Sequence, residues 1–305
     1  MPEPTAAGAL QFDLQSHSTR SDGALEPAAV VAAAAQAGVK LLALTDHDTL
    51  AGVPEALEAG AEQGIAVVPA IEISAIDDGG ESGTARELHI LGYLVDHSDP
   101  QLATTLAGFL ADREQRTLRM AQNLRELGIE LDEQAIATRV GAGEPIGRPH
   151  LAEAALSHTA NAQRFRDERI DDIGSFIRAY LIDGRPAFAL RVTPTVEEAI
   201  WAIHAAGGVA IWAHPFWDVS EPAEVLATIN RLLALQIDGV EAFYVTHTRE
   251  QTELLAKRCA ELDMLSTGSA DFHGPENRLF SRFMAFDTYG LTPNLGPIAA
   301  SAQTP

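Results

Sequence analysis

The chain has 305 residues, 46% of them hydrophobic and 21% charged, with a formal charge of −22 and one cysteine. That length can bury a large core as one α/β domain or one domain with an insertion, and the acidic balance excludes broad binding to duplex nucleic acid. Cys259 excludes an internal disulfide and no run is long and apolar enough to cross a bilayer; with an opening MPEPTAAGALQ that lacks signal-peptide regions, the expectation is a cytoplasmic protein without a membrane partner.

Residues 9–16 read as a strand, followed by an alanine-rich helix over 26–37 that stops at Gly38. KLLALTD (40–46) is a second strand, 51–63 a helix and IAVVPAIEIS (65–74) a third strand. The acidic, glycine-rich DDGGESGT (77–84) reads as a mobile hairpin or loop before a fourth strand, LHILGYLV (88–95). From about 99 to 191 the pattern turns helical. LATTLAGFLADREQRTLRMAQNLRELG spaces apolar residues at three and four until Gly128, and further helices fall at 149–157 and 173–182. Helix 195–206, strand GVAIWAHP, helix 221–235, strand IDGVEAFY, helix 248–262 and the strand into GSADFHG then resume the alternation. Short apolar strands with helical crossovers predict an α/β fold with a parallel sheet buried on both faces. Roughly seven such units favour a closed or distorted barrel. The discontinuous barrel domain spans 9–98 plus 192–291, and the helical insertion 99–191 packs over one end as a substrate lid. The segments 1–8 and about 292–305 read as loosely ordered.

The chemistry-bearing residues gather where apolar runs end. They are His17 and Asp22 in FDLQSHSTRSDG (12–23), His47 in LTDHD (44–48), Glu72 in PAIEIS (69–74), His89 in ELHILGY (87–93), His214 in AHP (213–215), and Asp271 and His273 in GSADFHG (268–274). Imidazoles and carboxylates together suit Zn, Mn or Fe, and a mixed set this large can hold more than one ion. In a β/α barrel the carboxyl ends of the strands form one face, which is where chemistry sits. The charge distribution adds to this. Residues 100–191 carry twelve of the twenty-one basic residues, all arginine, against thirteen acids, so the insertion is near neutral over an acidic body. Bound cations would let that body accept an anionic substrate.

In this order the motifs resemble the PHP (polymerase and histidinol phosphatase) family over nearly the whole chain. Within it, HSTRSDG, LTDHDT, GRPHLAEAL and GSADFHG most resemble the nucleoside 3′,5′-bisphosphate phosphatase / 5′-to-3′ oligoribonuclease branch. The resemblance implies a distorted seven-stranded β/α (TIM-like) barrel with a helical insertion, holding two or three divalent ions (Mn, Fe or Zn). By matching position, one metal would take Gln15, His17, Glu72 and Asp271. A second would take Glu72, His89 and His214, and a third Asp22, His47 and His273. Glu72, His214 and Asp271 would then be catalytic, through a hydroxide shared between bridged ions that attacks phosphorus in line. The serines of HSTRS read as turn caps, not nucleophiles.

One position departs from the pattern. The family has HxH in the first strand, and here it is Gln15-Ser16-His17. A glutamine carbonyl is a weaker ligand than imidazole, so binding at that metal should shift toward harder ions, at a residue expected at an exposed strand end.

Substrate candidates are Arg148 and His150 in GRPH, Arg20 inside the first motif, and His247 after IDGVEAFY, which either touches substrate or has a surface role. Asp46 and Asp48 flank His47 and either orient ligand imidazoles or cap the following helix. Phe216 and Trp217 either stack on a base or pack at the rim. Cys259, His97, His158 and His204 read as structural.

The function expected is hydrolysis of a phosphate monoester of a small nucleotide, the 3′-phosphate of nucleoside 3′,5′-bisphosphates first, with 5′-to-3′ trimming of short RNA. The alternatives are a histidinol-phosphate phosphatase, or a catalytically weakened metal- and nucleotide-binding module because of Gln15.

Overall fold

A computed structural model describes residues 11–80, 85–141, 146–182 and 184–303. Strand β1 (Phe12–Asp13) leads to helix α1 (Pro27–Ala37), β2 (Leu41–Leu44), α2 (Val53–Gln63), β3 (Ala66–Asp77) and β4 (Arg86–Tyr93). Then come α3 (Pro100–Glu126), α4 (Glu133–Gly141), α5 (Arg148–Ser157), α6 (Ala162–Glu168) and α7 (Ile173–Tyr180). The chain continues as α8 (Val196–Ala205), β5 (Val209–Trp212), α9 (Pro215–Asp218), α10 (Pro222–Ala234), β6 (Gly239–Tyr244), α11 (Arg249–Glu261) and β7 (Leu265–Ser269).

Local chemistry sets the boundaries. Pro27 opens α1, and Gly38 ends it at φ 91°, sending its N–H back to Ala34 and Ala35. The Asp99 carboxylate caps α3 by accepting from Gln101 N, and Thr248 with Gln251 forms a capping box on α11.

The seven strands form one sheet in the order β1 to β7, and Leu14 N donating to Gly268 O brings the first edge against the last. The result is a seven-stranded barrel, nearly closed. This corrects the expectation of a parallel sheet, because β3–β4 and β4–β5 pair antiparallel. Residues 78–85 between β3 and β4 are too few for a crossover, so the chain returns as a hairpin.

The period of two along each strand decides what faces where. Leu41 and Ala43 of β2 point into the barrel, while Leu42 and Leu44 pack against α1 and α2. The inward row of β3 runs Val68, Ala70, Glu72, and that of the reversed β4 runs Tyr93, Leu91, His89. Each row is apolar at the floor and ends in a ligand-type side chain at the mouth. Glu72 and His89 therefore lie inside their strands, where strand ends were expected.

Helices α3 to α7 share a core of their own, built from Met120, Leu124, Leu151, Phe165, Phe176 and Tyr180 among others. The expected helices 149–157 and 173–182 are α5 and α7; α4 and α6 were not anticipated. The last segment corrects the expectation of loose order, since Leu295 and the fully buried Ile298 close the barrel floor. Residues 1–8, residues 81–84 of the 77–84 loop and the final two residues lie outside the described ones.

Candidate metal centre

Glu72 is the hub of the site. It is fully buried, and its two oxygens face different strands. Oε1 lies 2.5 Å from His89 Nδ1 and 3.2 Å from His214 Nε2. Oε2 lies 3.0 Å from His17 Nε2 and 3.7 Å from His47 Nδ1. His17 Nε2 is also 3.1 Å from Asp271 Oδ1. Asp22 completes the other side, 3.7 Å from His17 Nδ1, 3.7 Å from His47 Nε2 and 3.6 Å from His273 Nε2. Among the described residues, three sets have ligand atoms within 4.8 Å of one another: His17, Asp22, His47 and His273; His47, Glu72 and His89; His17, Glu72 and Asp271. The grouping differs from that implied by the resemblance, with His47 joining Glu72 and His89 and His17 joining two sets. His214 nevertheless touches Glu72.

Burial should raise the pKa of these carboxyls, but neighbouring imidazoles outweigh it. Glu72 is held well below the carboxylate range by His47 and His89, and Asp22 by His47 and His273. Burial pushes His47 well below the usual histidine value. Against burial, Asp271 and Glu72 hold His17 well above that value and Glu72 raises His89 to about 10, so the centre presents ionised carboxylates among imidazoles shifted in both directions.

That donor set fits metal ions. His17 Nε2, His47 Nδ1, His214 Nδ1 and Asp271 Oδ1 are buried without a hydrogen-bond partner, although His17 Nε2 and Asp271 Oδ1 are only 3.1 Å apart. Close approach without hydrogen-bond geometry is what converging ligand atoms look like, and each orphaned group costs about 1–3 kcal/mol unless something satisfies it. His214 and Asp271 also hold positive φ of 29° and 54°, strain that concentrates at functional sites. In the first motif Gly23 is needed for close approach, since a Cβ there would meet His17 O at 2.2 Å.

The surroundings brace the ligands. Asp46 neither orients an imidazole nor caps α2: it accepts from Ser18 N at 2.7 Å, Ser18 Oγ at 2.6 Å and Ser21 Oγ at 2.7 Å, which ties the His17 loop down. Asp48 accepts from Ser74 N and pairs with Arg191 at 2.8 Å and Arg113 at 3.3 Å. Tyr244 donates to Asp271 Oδ2 at 2.8 Å.

The predicted substrate residues fare unequally. Arg148 opens α5 and reaches Glu87 Oε1 at 3.5 Å, beside Arg116, which also pairs with Glu87. His150 accepts from Gly147 N at 3.0 Å and lines a cavity with Asp132, Arg139 and Glu153; burial, helped by Arg139, lowers its pKa to about 4. Arg20 is taken up by Glu26 and Glu55, each at 3.1 Å. His247 is buried, not a surface residue, its Nδ1 3.2 Å from Ala242 O and its pKa lowered to about 4 by burial. Gln15 is also fully buried, which corrects the expected exposed strand end. Its Nε2 donates to Glu72 Oε2 at 2.9 Å.

Sequence reading missed Arg113, Arg191, Glu87, Tyr244 and Phe280. Arg113 of α3 sits 4.0 Å from Asp22 and brings a guanidinium from the insertion to the centre. Its place in DREQR carries no motif; only the clustering of arginines in the insertion pointed that way.

A seven-stranded barrel whose mouth gathers ionised carboxylates and imidazoles around a shared glutamate defines a metal-dependent phosphoesterase. The PHP domain profile matches residues 13–134. A 5′-3′ exoribonuclease of Haemophilus influenzae is 33% identical over 265 residues, covering 87% of this chain and 90% of that one. A 3′,5′-nucleoside bisphosphate phosphatase of Chromobacterium violaceum is 30% identical over 269 residues, 87% of each. The solved structure of an amidohydrolase from Chromobacterium violaceum, with bound sulfate and no metal, superimposes with a TM-score of 0.79 at 27% identity over 96% of each chain. The chain belongs to the PHP family and is a hydrolase of phosphoric esters.

Proposed function

We propose that this enzyme removes the 3′-phosphate from nucleoside 3′,5′-bisphosphates and trims short RNA from its 5′ end, using two or three divalent ions of Mn, Fe or Zn. The observation that carries the reading is Glu72, whose two carboxylate oxygens each face a different pair of imidazoles. The ligands in this reading are His17, Asp22, His47, Glu72, His89, His214, Asp271 and His273. When bound, the ions supply Lewis acidity toward phosphate oxygens and acidify a water.

The chain's own residues do the rest. Tyr244 fixes the rotamer of Asp271 through Oδ2 and leaves Oδ1 facing His17. Arg113 and Arg148 are cations brought from the insertion, and a guanidinium fork matches phosphate oxygens. In this reading residues 99–191 act as the lid that selects substrate. Trp217 is 51% exposed and packs on Phe280 at 5.7 Å, which packs on His273 at 5.4 Å, so an aromatic rim for a base adjoins the ligands. Phe216 instead packs against the core. The names of the relatives from Haemophilus influenzae and Chromobacterium violaceum agree with both activities.

The test is phosphate release by chelator-stripped, Mn²⁺-reconstituted protein from a nucleoside 3′,5′-bisphosphate, histidinol phosphate and an aryl phosphate, with a short 5′-labelled RNA alongside. The bisphosphate should show the highest kcat/KM. Faster turnover of histidinol phosphate would overturn the substrate assignment, and nucleotide binding without phosphate release would identify an inactive binding module.

A further inference from the structure

We propose that Gln15 is a positioning residue that holds Glu72, and does not ligate a metal; this rests on the metal-centre reading above. Gln15 has no exposed surface, so its amide must be satisfied by protein. An ionised carboxylate only accepts hydrogen bonds, and Glu72 Oε2 lies 2.9 Å from Gln15 Nε2, so the NH₂ end faces the centre. The other end is committed as well, because Ser269 Oγ lies 3.2 Å from Gln15 Oε1. Ser269 Oγ also lies 2.6 Å from Glu241 Oε1, so its single proton is shared between these two acceptors, while Glu241 Oε2 accepts from His214 N at 2.9 Å. A buried chain thus runs from the His214 backbone through Glu241, Ser269 and Gln15 to Glu72.

Turning the amide to offer its oxygen to a cation would set that oxygen against the Glu72 carboxylate. The contact to Glu72 would be lost, whereas Ser269 Oγ could accept from the turned NH₂. In the observed orientation Gln15 fixes the rotation of the Glu72 carboxylate, and with it which oxygen faces His17 and His47 and which faces His89 and His214. The set His17, Glu72 and Asp271 then offers three protein ligands and no amide oxygen.

The experiment is calorimetric titration of chelator-stripped protein with Mn²⁺ for wild type, Gln15→Met and Ser269→Ala, with apoprotein unfolding midpoints as the control for folding. Gln15→Met should keep the wild-type stoichiometry and bind about 10–100-fold more weakly, the loss typical when a partner of a ligand is removed. Ser269→Ala should weaken binding in the same direction by less. The sign for Ser269→Ala separates the two roles, since freeing the amide oxygen would tighten binding if Gln15 were a ligand. Loss of one equivalent in Gln15→Met, tighter binding in Ser269→Ala, or no change in either variant would overturn the proposal. If Gln15→Met does not fold, Ser269→Ala decides alone. Absence of Mn²⁺ binding by the wild-type protein would overturn the metal-centre reading, and the positioning role with it.

Discussion

Replacing Arg191 by Met should be among the most destabilising single changes outside the metal ligands. Arg191 is fully buried, and its guanidinium makes three hydrogen bonds beside an ion pair with Asp112 at 3.6 Å. NH1 meets Asp48 Oδ2 at 2.8 Å, NH2 donates to Phe109 O at 2.6 Å and Nε donates to Thr193 O at 3.1 Å. It therefore ties α3 and the segment returning to the barrel onto the loop that carries His47. Removing one partner of a buried pair costs about 3–5 kcal/mol, because the other charge is stranded. Asp48 keeps Arg113 at 3.3 Å and Ser74 N at 3.2 Å, which lowers that loss. The Phe109 and Thr193 carbonyls lose a charged donor, which raises it by about 1–3 kcal/mol per unsatisfied group. The two corrections oppose each other, and taken as cancelling they leave about 3–5 kcal/mol, a fall in Tm of about 6–10 °C at ~2 °C per kcal/mol. Urea unfolding of wild type, Arg191→Met, Asp48→Asn and the double variant measures it, and the cycle should show coupling of at least about 1 kcal/mol. A loss below about 1 kcal/mol for Arg191→Met, or additivity within about 0.5 kcal/mol, would refute the reasoning.

Three further outcomes are expected. Glu72→Gln should abolish nearly all phosphate release and remove at least one equivalent of metal, measured by elemental analysis; wild-type turnover with full metal content would reject Glu72 as the bridge. Arg148→Ala should lower kcat/KM for a bisphosphate about tenfold or more relative to an aryl phosphate, the worth of a lost charged contact to phosphate. Equal losses on both substrates would remove Arg148 from the specificity contacts. Burial raises the Cys259 thiol from 9.0 to about 12, so the folded chain keeps it neutral where the unfolded chain ionises it. The contribution is complete below pH 9.0 and is lost as pH rises toward 12, and Cys259 should resist thiol reagents at pH 8 until urea unfolds the protein. Stoichiometric labelling of the native protein at pH 8 would contradict that burial.

The sequence by itself determined the ingredients. Each ligand motif is local, a His, Asp or Glu within an apolar strand or a few residues after it, and the period of two in PAIEIS and LHILGY already places Glu72 and His89 on one face of their strands. The capping signals and glycine stops mark the helices for the same reason, since they act within one turn. What the tertiary structure alone decided is which of these groups meet. Glu72 reaches His214 across 142 positions and Arg191 reaches Asp48 across 143. No periodicity encodes a partner at that separation. The reversal of β4 was only partly legible, because 77–84 read as a hairpin or loop but a buried antiparallel strand is as apolar as a parallel one, and only the shortness of the link between β3 and β4 distinguishes them. Gln15 belongs to the second category too. Its place in the motif made it a candidate ligand, but which end of its amide faces Glu72 depends on Ser269, 254 residues away. Local pattern selects residue types, and the closing of the barrel assigns their contacts.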